Sequence, residues 1–224
     1  MLSVIVPTFN EAANVAAAIE SAWAAGAAEV IVSDGGSSDR TCAIAKDCAA
    51  SVVDGRKESA AGRGPQQNAG AAVATGDVLL FLHADCRLPP DAQTQIEQQP
   101  QALGGGFAQR IDADGRRFRW LEAGNAWRGR RGLLYGDQAI WVRREVFDRV
   151  GGFPDWPLFE DVELGRRIGR KRFGTVLPGP VVVSARRWRS RGVIRQTATN
   201  WFLLAAYRCG VSPGRLAVWY RSLR

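Results

Sequence analysis

The sequence predicts an α/β domain built on a Rossmann-like mixed sheet flanked by helices, with a basic helical segment at its C-terminal end. Three observations predict it. Short β-branched runs alternate with alanine-rich stretches through the first 85 residues. The connections are only a few residues long, which calls for parallel strands joined by right-handed crossovers. Each run is also followed by polar residues, Asn10 and Glu11, then Asp34, then His83 and Asp85. Ligands of open α/β sheets bind at the carboxyl ends of strands, so these loops bring acids and amides to one edge.

The elements follow in order. SVIV at 3–6 is a strand ended by Pro7, and Asn10 is placed to cap a helix over 11–24 with Gly26 at its end. EVIV at 29–32 is the second strand, running into the turn-rich SDGGSSD at 33–39, where Asp39 is a cap for a helix over 40–49. SVVD at 51–54 is the third strand, followed by a helix over 65–74. VLLFL at 78–82, between Gly76 and the Pro89-Pro90 pair, is too short for a buried helix and reads as a strand delivering His83 and Asp85 at its end. No GxGxxG follows the first strand, which disfavours an NAD-type site. Beyond Pro90 the pattern predicts a strand over 104–111, a basic helix over 116–130 carrying Trp120 and Trp127, a strand over 138–143 and a short helix over 144–150. A loop from Gly151 opens a helix from Asp161 to about residue 170, a strand follows near 180–184, and helices are predicted over 193–208 and from Pro213.

A length of 224 residues with 46% hydrophobic and 23% charged side chains fits one globular domain with a sizeable core. The opening MLSVIVPTFNEAANV has no basic n-region, and no apolar run approaches the ~20 residues of a membrane span. The expected location is cytoplasmic. Cys42, Cys48, Cys86 and Cys209 form no CxxC pair and find only one histidine in the chain, which argues against a zinc site and for free thiols. Charge is divided unevenly. Residues 1–109 hold 6 Lys/Arg against 12 Asp/Glu, whereas 110–224 hold 24 against 10. The basic half suits an anionic partner such as a phosphorylated substrate or a lipid surface. An apolar stretch, Trp201 to Tyr207, flanked by Arg195 and Arg208, allows peripheral membrane contact through 193–208.

Two places carry chemistry on their own terms. A carboxylate at a strand end, Asp85, can hold a hard divalent cation against phosphates. Acids also gather at Glu160, Asp161 and Glu163, where the start of a helix favours negative charge. The blocks VIVPTFNE, VSDGGSSDRT, GRGPQQNAGAAVATGDVLLFLHAD and GGFPDWPLFEDVELGRR, in that order over roughly residues 1–170, resemble an inverting family 2 glycosyltransferase of the GT-A fold. HAD in place of the usual DxD, with a GDQ before the last block, is similar to a short bacterial subgroup of arsenosugar-biosynthesis or radical-SAM-associated transferases.

The resemblance implies a GT-A domain over 1–185, split into a nucleotide-binding half (1–90) and an acceptor half (91–185), with 186–224 a helical tail packed on it. It implies a nucleotide pocket lined by Pro7, Phe9, Glu11, Asp34, Arg63, His83, Ala84 and Asp85. Asp85 is the motif's remaining carboxylate, implied to ligate Mg²⁺ or Mn²⁺, with His83 beside it. An imidazole tilts that choice toward manganese. Gly35 stands where the family has a second acid. Asp161 matches the catalytic base, and Asp137, Gln138, Trp156 and Glu160 are candidates for sugar or acceptor contacts. Arg186, Arg187 and Trp188 lie where some relatives close over the diphosphate, without the QxxRW form. The function implied is metal-assisted transfer with inversion from a nucleotide sugar, UDP-linked first, to a small-molecule or lipid-linked acceptor. A nucleotidyltransferase would want a glycine-rich basic loop after the first strand, where this chain has VPTFNE. A basic module for nucleic acid or membranes would leave the acidic strand ends unexplained, so no nucleic-acid partner is expected.

Overall fold

A computed structural model describes residues 1–56, 62–169 and 172–222, without the side chains of Arg187, Arg191, Arg221 and Ser222. Strands β1 (Leu2–Thr8), β2 (Glu29–Asp34), β3 (Ser51–Asp54) and β4 (Val78–Phe81) alternate with helices α1 (Val15–Ala24), α2 (Thr41–Asp47) and α3 (Arg63–Val73). Then come β5 (Cys86–Arg87), α4 (Ala92–Glu97), β6 (Gly104–Ile111), α5 (Arg116–Gly129), a 3₁₀ turn (Gly136–Gln138), β7 (Ile140–Arg143), α6 (Arg144–Arg149) and α7 (Glu160–Ile168). Strand β8 (Thr175–Val183) and helices α8 (Arg186–Arg191), α9 (Val193–Arg208) and α10 (Pro213–Ser222) complete the chain.

All eight strands form one sheet in the order β3-β2-β1-β4-β7-β6-β8-β5. The four N-terminal strands are mutually parallel, β7 is antiparallel to both β4 and β6, and β8 is parallel to β6. This is the mixed sheet the sequence predicts. Period-two alternation turns neighbouring residues of β1 and β4 to opposite faces. Val4, Val6 and Leu80 pack with Val15, Ile19 and Ile96 on one side. Ile5, Leu79 and Phe81 pack with Ala71, Phe147, Phe153 and Leu164 on the other. Helices thus cover both faces, and the C-terminal strand ends are left open.

Differences from the predicted elements have local causes. Asn10 caps no helix: it takes a left-handed φ of 54°, its Oδ1 accepts the Ser38 N–H at 2.9 Å, and α1 begins only at Val15. Strand β4 stops at Phe81: the Leu82 N–H still donates to the Ile5 carbonyl, but the chain then turns, the Cys86 N–H returning to the His83 carbonyl, both at 2.9 Å. Gln138 lies in the 3₁₀ turn, not in β7. Strand β8 begins at Thr175, well ahead of the predicted start, since β6 pairs with it from Gly105 onward. The short β5 and α4 have no periodic signal and were not predicted. Asp39 does receive the Thr41 N–H, at 2.9 Å, ahead of α2. The predicted end of α7 near residue 170 lies outside the described residues. Among the described residues no helix is long and apolar enough to cross a membrane.

Candidate active site

Two adjoining cavities open at the C-terminal edge of the sheet. The smaller, about 460 Å³, is bounded by Pro7, Glu11, Ala84, Asp85, Arg186 and Ser190. The larger, about 760 Å³, is walled by Tyr135, Gly136, Asp137, Phe159, Glu160 and Asp161 on one side and by Asn200, Leu203 and Ala217 of the tail on another. Phe9, Arg63, Gln66, His83 and Tyr220 face both. Residues from β1, the turn after β4, α3, the 3₁₀ turn, α7 and α8–α10 therefore meet in one place.

The floor of the smaller cavity comes from the first strand ends. Burial alone would raise the Asp34 carboxyl, but hydrogen bonds from the Ser37 hydroxyl and N–H, the Thr8 hydroxyl and the Gly36 N–H bring it below its ordinary value. Both Asp34 oxygens are thus spent shaping its own loop, and Asp34 lies beneath the cavity wall, not in it. Gly35 explains itself here. A Cβ at that position would fall 2.0 Å from Gln66 Nε2, which donates to the Thr8 carbonyl at 2.9 Å. The Gln66 amide fills the room a second acid would need. Across the cleft, the Arg186 guanidinium donates to Glu11 Oε1 at 3.3 Å and approaches Asp85 Oδ2 at 3.9 Å.

A ligating atom from each of His83, Asp85 and Cys86 lies within 4.8 Å of the others. One carboxylate, one imidazole and a buried sulfur make a mixed donor set that suits a borderline divalent ion better than Mg²⁺. Asp85 and His83 face the cavity and fit such an ion. Cys86 is turned inward, its Sγ 4.0 Å from the Asp137 carbonyl oxygen.

Gly136 links this cluster to the other wall. Its missing side chain makes room for the His83 ring, since a Cβ there would sit 2.4 Å from Nε2. Its N–H donates to Asp161 Oδ2 at 2.7 Å, while the Val162 N–H donates to Oδ1 at 2.7 Å. Asp161 keeps a part-exposed surface toward the cavity. Burial, reinforced by the neighbouring Glu160 carboxylate, pushes it up to about 7, against the lowering pull of those two N–H groups. Glu160 is likewise raised by burial, and the Arg63 charge opposes that rise. Phe159, just ahead, holds a left-handed φ of 64° and stacks on Tyr207 of α9, centroids 5.0 Å apart. Such a backbone is costly for a bulky residue, and the stacking holds it in place.

Of the sugar and acceptor candidates, Asp137 and Glu160 line the larger cavity, and Asp137 Oδ1 is buried without a hydrogen-bond partner among the described residues. Gln138 is fully buried and its amide is used within the fold, accepting from Arg128 and the Tyr135 N–H and donating to the Phe107 carbonyl. Trp156 packs edge-on against Tyr207 and does not line the cavity. Trp188 reaches only a small side pocket beside His83 and Asp85. The Arg187 side chain lies outside the described residues. Asn68 staples α3 to the loop before α7 through paired bonds with Phe153, at 2.9 and 3.0 Å. Sequence reasoning missed Tyr220, Asn200, Leu203 and Gln66. The GDQ motif drew attention to Asp137 and Gln138, yet Gly136 is the member that joins both walls.

The 3-2-1-4 parallel run, the antiparallel strand beside it and the strand-end cleft define a GT-A type glycosyltransferase fold. Comparison with known proteins agrees. The model of glycosyl transferase family 2 matches residues 3–151. A PGL/p-HBAD biosynthesis glycosyltransferase of Mycobacterium bovis is 31% identical over 166 residues, covering 68% of this chain and 63% of that relative. The mannosyltransferase PcManGT from Pyrobaculum calidifontis, solved with GDP-Man and Mn²⁺, superposes with a TM-score of 0.61 at 18% identity, covering 95% of this chain and 66% of that one. S. aureus TarS 1-349 with UDP superposes at 0.60 and 19% identity, covering 86% and 64%. The chain belongs to glycosyl transferase family 2. It spans 63% of the length of the curated relatives it matches.

Proposed function

We propose that this protein transfers a glycosyl group from a nucleotide-sugar donor, UDP-linked as first choice, to an acceptor hydroxyl by a single displacement with inversion. The observation that carries this reading is the placing of Asp161, a half-buried carboxylate with raised proton affinity, in the cavity adjoining the one that Asp85 and Arg186 line, with His83 facing both. The donor diphosphate occupies the smaller cavity and its sugar the junction near Phe9, His83 and Tyr220. Asp161 takes the acceptor proton as the acceptor oxygen bonds to the anomeric carbon. The bond from that carbon to the phosphate oxygen breaks on the opposite face, and its electron pair leaves with the diphosphate.

Backbone N–H groups on both Asp161 oxygens fix its aim. Arg186, drawn toward Glu11 and Asp85, has a charge to offer the departing diphosphate. A divalent cation held by Asp85 and His83, with Mn²⁺ preferred, would supply charge neutralisation on the same group. The unpartnered Asp137 oxygen is suited to accept a sugar or acceptor hydroxyl. Asp34 acts on the base pocket through the loop it shapes. The likeness to the arsenosugar-biosynthesis subgroup remains a proposal resting on HAD and GDQ alone.

A thermal-shift panel of UDP-, GDP- and TDP-sugars with Mn²⁺ or Mg²⁺ tests the donor. Stabilisation by one donor, larger with metal and lost in Asp85→Ala, is expected. No stabilisation by any pair would overturn the reading. Asp161→Asn should keep that shift and abolish transfer, and loss of donor binding in this variant would refute the role of base.

A further inference from the structure

We infer that the outer face of the C-terminal helices is a docking surface for an anionic phospholipid bilayer. Residues 186–224 contain nine arginines and not one Asp or Glu. Helices α9 and α10 are two-faced. Their inner sides bury Leu203, Leu204, Leu216 and Ala217 against the Phe159 and Val162 cluster or the cavity. Their outer sides leave apolar groups in solvent: Ile194 is 85% exposed, Trp201 and Phe202 56% each, and Val218 and Trp219 join them.

The exposed groups are ordered. Ile194, Trp201 and Arg208 recur every seven residues, so they share one stripe of α9, with Arg195 and Phe202 in the next. Arg215, Val218 and Trp219 share one side of α10 at spacings of three and four. The Phe202 and Trp219 rings stack at 6.2 Å with planes 29° apart, which makes the two stripes one patch. Arg195, Arg208 and Arg215 are exposed around it. A second stripe of the same kind, Arg116, Trp120, Trp127 and Arg130, runs along α5, and α9 starts beside it, where Val193 packs in the cluster that holds Leu121.

Aromatic and aliphatic groups ringed by arginines match the boundary between headgroups and acyl chains of a negatively charged leaflet. Single-stranded nucleic acid fits less well. Ile194 and Val218 offer no ring face to a base, and Phe202 and Trp219 face each other. Because the inner side of the same helices walls the larger cavity, docking places that cavity against the lipid.

Flotation of the full chain with vesicles tests this without turnover, so its outcome is independent of the transferase reading. Co-flotation is expected with phosphatidylcholine–phosphatidylglycerol vesicles at low salt, fading as salt rises, and not with phosphatidylcholine alone. Each arginine near the surface is worth about fivefold in partitioning, so R195Q/R208Q/R215Q should weaken binding on the order of a hundredfold. W201S/F202S should lose binding while unfolding at nearly the wild-type temperature, both side chains being exposed. As a check that needs no variant, brominated lipid should quench tryptophan fluorescence. The proposal is overturned if the chain never floats at low salt, or if the folded variants bind as wild type does. Binding of a single-stranded oligonucleotide without vesicle binding overturns it as well.

Discussion

Gly136 does two things with one residue: its N–H holds Asp161, and its bare Cα seats the His83 ring. Gly136→Ala would place a methyl 2.4 Å from His83 Nε2. The ring must move, so the metal-dependent part of donor stabilisation should fall in a thermal-shift assay while far-UV circular dichroism stays unchanged. Asp161 makes a different prediction. The proposed base, pushed up to about 7, is largely protonated in mild acid, so kcat/KM should rise with pH through about 7 and then level. A profile flat from pH 5 to 8 would remove it from that role. His83 and Asp85 were legible in the sequence because they follow directly from one strand. Gly35 was legible only as a departure. Its reason, the Gln66 amide lying over it, comes from an element thirty residues on.

Among elements, the tail helices fasten α7, which carries the proposed base. Phe159, in its left-handed conformation, leans on Tyr207, whose hydroxyl lies 3.4 Å from Glu163 of α7. Tyr207→Ala should therefore lower activity by loosening the start of α7, and cost about 1 kcal/mol beyond the lost area, read by chemical denaturation. A contrasting site is Phe81, fully buried against Phe153 at 4.8 Å and Phe147 at 5.3 Å. Phe81→Ala should cost about 4 kcal/mol, enough to unfold a marginal domain. Local pattern revealed β1 to β4 because each strand is a short apolar run with a turn behind it. It could not reveal α1 beginning at Val15, since the Asn10 side chain is taken by Ser38 across the loop. Nor could it show that Tyr220 closes the cavity, for nothing near Tyr220 in sequence refers to His83.

At the scale of the molecule, the site costs stability. Asp161 and Glu160 are both raised above their ordinary values, so between those values and neutrality the folded chain binds more protons than the unfolded one. Their contribution to stability therefore falls as pH rises through that window. Asp161→Asn should raise Tm at pH 8 more than at pH 5 while abolishing transfer, and a lower Tm at pH 8 would contradict the sign. The order of the walls along the chain has its own consequence. Synthesis proceeds from the N-terminus. Pro7, Glu11 and Asp85 emerge first, Asp161 later, and Leu203, Ala217 and Tyr220 last. Arg186 and Tyr220 bound the smaller cavity as well, so neither cavity has all its walls until the tail helices have been made. Loss of the tail would therefore open both cavities at once.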